Sequence, residues 1–115
     1  MEPKMLKDMI KRGGESIFAP EIEKLINRHP DVALVAVVGM PDPEMGERVC
    51  AYIQSAEGVT LTFDQIIAHL IDRGASVLQL PERIEFIAEI PLTPAGKINK
   101  RAIREDIAEK LKPFD

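Results

Sequence analysis

The sequence predicts a single small domain of the α+β class, and three observations indicate this fold. Its 115 residues are enough for one domain with one core. Apolar residues recur at helical spacing in three stretches, while three other stretches are apolar throughout or alternate with polar residues as strands do. A pair of glycines near the N-terminus indicates a tight turn. We therefore expect a small three-stranded sheet flanked by helices, with an N-terminal two-stranded glycine hairpin.

The segment from Asp8 to Phe18 is typical of a β-hairpin. Two short apolar arms flank Gly13 and Gly14, and glycine adopts the positive φ angles of a tight turn without steric cost. A two-stranded ribbon is marginally stable alone. We therefore expect this hairpin to pack against the rest of the domain or to move.

Three helices are predicted from apolar stripes bounded by start and stop signals. The first begins at Pro20 and stops before Pro30. The second is capped by Thr62, with a glutamine three residues on that completes a capping box, and ends at Gly74. The third follows Asn99 as its N-cap. The stripe residues expected to face the core are Ile22, Leu25, Ile26, His29, Ile66, Ile67, Leu70, Ile71, Ile103, Ile107 and Leu111.

Three strands complete the prediction. The run Val32–Met40 is continuously apolar, which favours a central strand covered on both faces. The segments Glu47–Gln54 and Arg83–Ala88 alternate between polar and apolar residues, as half-buried strands do. Loops are expected between them at 41–46 and 55–61.

Residues with reactive side chains are few and isolated. Cys50 has no basic cluster beside it in sequence, so we expect a packing role; as the sole cysteine it excludes an internal disulfide. His29 is expected to be partly buried at a helix end, and His69 to be exposed. No Cys/His cluster with metal-ligand spacing, Ser-His-Asp set or paired carboxylates stand out, so no metal site is expected.

Composition restricts the classes of partner. A net charge of −4 argues against a general nucleic-acid binder, although both ends of the chain are basic around an acidic middle. The longest apolar run, Val32–Met40, is too short to span a bilayer. Without a recognisable signal peptide, and with one cysteine, we expect a cytoplasmic protein.

The segment 91–100 reads as a stiff loop that presents a cation. Its two prolines restrict the backbone, and Gly96 permits a positive φ directly before Lys97. It is not a phosphate-binding P-loop, because Pro91 occupies the position of the first glycine and Ile98 the position of the Ser/Thr. From these residues alone, an ordinary loop with a solvated lysine and a functional lysine both remain open.

Two stretches resemble the C-terminal domain of adenylate-forming enzymes, the superfamily of acyl- and aryl-CoA synthetases, peptide-synthetase adenylation domains and luciferases. Residues 7–17 (KDMIKRGGESI) resemble its hinge and glycine hairpin, and residues 91–98 (PLTPAGKI) resemble its lysine loop. The hairpin is most similar to those of aryl-acid adenylating enzymes and acyl-CoA synthetases. The resemblance extends over about residues 5–111, and four shorter motifs follow in the family's order: Glu21-Ile22-Glu23, His29-Pro30-Asp31-Val32, Gly39-Met40-Pro41-Asp42 and Gly46-Glu47.

The resemblance implies a mobile lid domain at residues 7–112, between a linker at 1–6 and a tail at 113–115. It also implies a large N-terminal adenylation domain as partner, which binds ATP with magnesium and a small carboxylic acid. The acyl adenylate then passes its acyl group to coenzyme A or to the phosphopantetheine of a carrier protein. The 115 residues alone are expected to bind none of these tightly and to be inactive. The alternative is a stand-alone binding module that docks on a separate large domain or carrier protein.

Lys97 matches the adenylation lysine of that family, in a loop shaped by Pro94 and Gly96. A carboxylate attacking the α-phosphate of ATP brings two anions together. A positioned ammonium offsets their repulsion as charge shifts in the transition state. The resemblance therefore implies that Lys97 is the catalytic residue.

Two further sites follow from the resemblance. Lys7 and Asp8 match the hinge, whose backbone would absorb the rotation of the domain between the two half-reactions. The family's adenylate-contacting arginine would fall at Met5 and is missing. The loop expected to enter the site for the thiol step, where Arg12 would meet a phosphate of coenzyme A, comprises Arg12, Gly13, Gly14 and Glu15.

Overall fold

A computed structural model describes residues 8–112, so Lys7 and the predicted linker and tail lie outside the described residues. Within residues 8–112, five strands, three α-helices and one short 3₁₀ turn follow one another. The elements are β1 (Met9–Arg12), β2 (Glu15–Phe18), α1 (Ala19–Asn27), β3 (Val32–Asp42), β4 (Gly46–Ser55), α2 (Phe63–Asp72), the 3₁₀ turn (Val77–Gln79), β5 (Arg83–Phe86) and α3 (Lys100–Lys110). The α+β prediction is confirmed.

β4 is the central strand of one five-stranded sheet. β3 pairs with it antiparallel along one side. On its other side β5 runs parallel to it from Cys50 to Ile53, and β1 meets its first residue, Gly46, from Arg12. The hairpin β1–β2 therefore belongs to the same sheet rather than lying apart from a three-stranded one. Pairing between segments so distant in the chain leaves no local sequence signal.

The prediction that Val32–Met40 forms the central strand is wrong, because β3 lies at the edge of the sheet. Its apolar run reflects burial of both faces, a pattern that central strands share. At its open edge the Val37 N–H donates to Glu23 Oε2 at 2.8 Å. A side chain of α1 thus satisfies a backbone donor that would otherwise be a site for unwanted strand pairing.

The two faces of the sheet carry separate apolar clusters. α1, α2 and the hairpin pack on one face, and α3 packs on the other, where Ile103 and Ile107 are fully buried. The predicted stripes are largely confirmed, but Ile71 is 57% exposed. It lies about 100° around the helix from the buried Leu70, which turns it away from the sheet. Within residues 8–112, no helix is long and apolar enough to cross a membrane.

Candidate functional site

Lys97 lies in a tight loop whose base is closed by backbone hydrogen bonds. Leu92 and Ile98 form an isolated antiparallel bridge. The Thr93 N–H donates to Lys97 O at 2.6 Å, and the Gly96 N–H donates to Thr93 O at 2.8 Å. Thr93 also accepts through its Oγ1 from the Lys97 N–H at 3.2 Å. The loop backbone is therefore fixed on both sides of Lys97.

The Lys97 side chain is exposed, and its ammonium makes no hydrogen bond or ion pair within residues 8–112. Lys100 and Lys110, by contrast, each bind two carboxylates. Gly96 has a φ of +86°, and a Cβ built there would meet no atom within 4 Å. Glycine is thus required at position 96 for its backbone conformation and not for space. The result is a cation that is available to a ligand on a conformationally restricted loop.

The same loop leads directly into α3. Asn99 Oδ1 accepts from the Ala102 N–H at 3.1 Å, which confirms the predicted N-cap. The Asn99 N–H donates to Pro91 O at 2.9 Å, across the base of the loop. α3 is fixed to the sheet because Ile103 and Ile107 are fully buried, so the end of the loop that joins α3 is rigidly supported.

Asp8, the described residue of the predicted hinge, is bound to this domain at two points. Its carbonyl oxygen accepts from the Ala19 N–H at 2.9 Å. Its carboxylate lies 2.8 Å from the Nζ of Lys100, which also lies 2.7 Å from Glu23 Oε2. Lys100 is the first residue of α3, three positions after Lys97. The structure thus brings Asp8 and the first residue of α3, which follows the lysine loop, into one ion-pair cluster.

The glycine turn has the two positive φ angles that its sequence predicts, +55° at Gly13 and +91° at Gly14. The Gly13 N–H donates to Met45 O at 2.8 Å, and a Cβ at Gly13 would lie 2.8 Å from the Met45 Cε. A Cβ at Gly14 would meet no atom within 4 Å. Gly13 therefore joins the hairpin to the β3–β4 turn, while the outer surface of Gly14 is open.

Arg12 is held from behind the turn by Glu82. Its Nε lies 3.1 Å from Glu82 Oε1, and Glu82 Oε2 lies 2.7 Å from an Nη of Arg48. Partial burial would raise the pKa of the Glu82 carboxyl. Hydrogen bonds from the Val49 N–H, Arg48 and Arg12 outweigh this, so the pKa lies below its ordinary value. The Arg12 side chain is 23% exposed, and the Nε side of its guanidinium is occupied by Glu82.

The β3–β4 turn that supports Gly13 is itself fixed by Asp42. Asp42 Oδ2 accepts from the N–H groups of Glu44 and Met45, at 3.1 and 2.8 Å, and Oδ1 pairs with Arg48 Nε at 2.9 Å. The hydrogen bond from Met45 is the main reason that the pKa of Asp42 is lowered. The acidic residue of the Gly39–Asp42 motif therefore positions the glycine turn through Met45.

The isolated cysteine and histidines lie outside these clusters. Cys50 is fully buried, and burial raises the pKa of its thiol to about 12, so the expected packing role is confirmed. The prediction that His69 is exposed is wrong: it is half-buried, with Nε2 2.8 Å from Leu25 O and its ring 4.9 Å from that of His29. The packing of α1 against α2 covers it. Among residues 8–112, no three His, Cys, Asp or Glu side chains are grouped to hold a metal ion.

Residues 21–97 match the family model described as the AMP-binding enzyme C-terminal domain. The chain is 43% identical over 104 residues to a salicylyl-CoA synthase / salicylate adenylyltransferase from a Streptomyces species, and 41% identical over 105 residues to the 2,3-dihydroxybenzoate-AMP ligase of Bacillus subtilis. These alignments cover 90% and 91% of this chain and 19% of each relative. Among solved structures, apo MatB from Rhodopseudomonas palustris matches with a TM-score of 0.84 at 30% identity, over 92% of this chain and 21% of that one.

The sequence relatives and the solved structure thus match this chain over most of its length, and apo MatB shares its fold. The chain belongs to the family of AMP-binding enzyme C-terminal domains, the C-terminal domains of adenylate-forming enzymes. It spans about a fifth of the length of the relatives it matches.

Proposed function

We propose that this chain is the mobile C-terminal domain of an ATP-dependent acid–thiol ligase, an acyl- or aryl-CoA synthetase or an aryl-AMP ligase. The observation that carries the proposal is the Lys97 ammonium, exposed and without a partner within residues 8–112, on a loop fixed at its base. The partner is a large N-terminal domain that binds ATP, magnesium and a small carboxylic acid. The names of the relatives, several of which form acyl-CoA or aryl-AMP, support this class.

In the first half-reaction Lys97 acts on the reacting phosphate. An oxygen of the substrate carboxylate forms a bond to the α-phosphorus of ATP, and the bond to pyrophosphate breaks. The ammonium lies between two groups that are both anionic and reduces their repulsion as charge develops. Because the loop is fixed by Thr93 and Asn99, little further ordering is needed to place it.

In the second half-reaction the domain presents the glycine turn instead. The open surface over Gly14 lets the pantetheine arm of coenzyme A or of a carrier protein approach the backbone closely. Arg12 engages Glu82 through Nε, which leaves its terminal nitrogens to meet a phosphate of coenzyme A. Glu15 lies opposite Arg12 in the register of the hairpin. Lys7 and Asp8 form the hinge that exchanges the two surfaces.

The proposal is tested by replacing Lys97 in the intact protein and measuring ATP–pyrophosphate exchange with the acid that the protein accepts. Lys97→Ala should lower the rate of exchange by about 100-fold or more, because it removes a charge that stabilises the transition state. Lys112→Ala is the control, since it removes an equal charge at a side chain that is 69% exposed. Exchange at the wild-type rate by Lys97→Ala would refute the proposed role.

A further inference from the structure

Lys100 joins two parts of the chain that are 92 residues apart. Its Nζ lies within hydrogen-bond distance of one carboxylate oxygen of Asp8 and one of Glu23. The three side chains are only 19%, 27% and 21% exposed. Charge-assisted hydrogen bonds at this degree of burial are stronger and less screened by salt than surface ion pairs.

The cluster connects α1, β3 and α3 with the residue that precedes β1. Glu23 lies on α1 and also accepts from the Val37 N–H of β3, Asp8 precedes β1, and Lys100 begins α3. Asp8 is further tied by its carbonyl oxygen to Ala19. Lys100, the first residue of the helix that supports the lysine loop, is therefore bound directly to Asp8, which precedes the first strand of the domain.

We propose that Lys100 is a positioning residue that clamps the hinge residue Asp8 to the rigid body carrying Lys97. The side chain of Asp8 then rotates with this domain, so that Asp8 is the end of the hinge that moves together with Lys97. The hinge rotation alone then sets the orientation of Lys97 towards the large domain, because Asp8 and the lysine loop do not move relative to each other. This inference rests on the proposed function, and it assigns a role in adenylation to residues that do not touch the substrate.

Removal of Lys100 has a specific consequence. The carboxylates of Asp8 and Glu23 would then face each other across the vacated position without a shared cation, and like charges at short range repel. Asp8 would swing out, and the angle between hinge and lysine loop would no longer be fixed. Replacement of Asp8 by Asn removes one of the two charges, so it should relieve that repulsion.

The experiment compares Lys100→Met, Lys100→Arg, Asp8→Asn and the double variant Asp8→Asn/Lys100→Met in the intact protein. The readouts are kcat and KM of ATP–pyrophosphate exchange, together with Tm to confirm folding at the assay temperature. Lys112→Met is the matched control, because it removes a lysine from an exposed ion pair with Glu109. Lys97→Ala is measured in parallel.

Lys100→Met should lower kcat about 10-fold to 100-fold with KM for acid and ATP unchanged, since small misplacement of a reacting group is costly and the substrates bind elsewhere. Lys100→Arg should restore most of the rate, and the double variant should be no worse than Lys100→Met. If Lys100→Met kept the wild-type kcat while Lys97→Ala was inactive, the role of Lys100 as a clamp would be overturned and the proposed function would stand. The clamp would also be overturned if the kcat losses of Lys100→Met and Asp8→Asn multiplied in the double variant. An active Lys97→Ala would instead overturn the proposed function itself.

Discussion

Gly96 precedes Lys97 with a φ of +86°, a conformation that residues with a Cβ rarely adopt. No atom lies within 4 Å of the place a Cβ would take, so an alanine there meets strain but no clash. The strain, of about 1 kcal/mol, would be relieved by a shift of the loop and hence of the lysine beside it. This residue therefore offers a way to displace Lys97 while its charge is kept.

Gly96→Ala should lower kcat for adenylation while KM is retained, because the ammonium is present but misplaced. Gly58→Ala is a matched control: its φ is +78°, its Cβ position is also open, and it lies in the distant loop between β4 and α2. Both variants should lose similar stability in urea unfolding, and only Gly96→Ala should lose activity. Equal rates for the two variants would contradict the role assigned to the loop conformation.

Gly39 and Glu47 belong to two of the short sequence motifs, and the structure shows what each residue does. A Cβ at Gly39 would lie 2.8 Å from the carboxyl group of Glu47 on the neighbouring strand. Glu47 Oε1 accepts from the Lys11 N–H of β1 at 2.9 Å. The absence of a side chain at Gly39 thus leaves room for the Glu47 carboxyl group, which fastens the hairpin to the sheet.

The hairpin is fastened a second time by Glu82, and this attachment depends on pH. The pKa of its carboxyl is lowered in the fold: burial opposes the shift, and hydrogen bonds from Val49, Arg48 and Arg12 outweigh it. Such a group stabilises the folded chain at pH values above its unfolded pKa of about 4.3. That contribution is lost as the pH falls through the lower folded pKa.

Glu82→Gln should therefore weaken the dependence of Tm on pH in the acid range. Its Tm should be lower than that of the wild type at about pH 7, and the difference should shrink at acidic pH, as the pH falls through the lowered folded pKa of the wild-type carboxyl. Asp42 and Asp106, whose pKa values are also lowered, leave part of the acid dependence in place. Glu57→Gln, at an exposed loop residue, should follow the wild type. An unchanged gap between Glu82→Gln and wild type at both pH values would count against this account.

Across the whole molecule, features that are local in the chain were predictable from sequence, and long-range pairings were not. The positive φ angles of Gly13, Gly14 and Gly96 and the caps at Thr62 and Asn99 follow from neighbouring residues. The partners that orient the candidate site lie far away. Lys100 binds Asp8 across 92 residues, and Arg12 binds Glu82 across 70.

The edge position of β3 and the burial of His69 escaped prediction for the same reason. Periodicity reports whether a residue is covered, and not which element covers it. A single sequence therefore indicated the lysine and the glycine turn, while the ion pairs that hold them required the fold.

The lysine loop and the glycine turn are two surfaces of one domain, and a crossed comparison tests most directly whether each serves a different half-reaction. Each half-reaction would be measured separately in the intact protein: pyrophosphate exchange for adenylation, and thioester formation from preformed acyl adenylate. The two variants are Lys97→Ala and Gly14→Leu, with Gly58→Leu as a control for backbone strain at a remote glycine. We expect Lys97→Ala to lose adenylation and keep thioester formation, and Gly14→Leu to do the reverse. Equal loss of both half-reactions in each variant would contradict the division of labour between the lysine loop and the glycine turn.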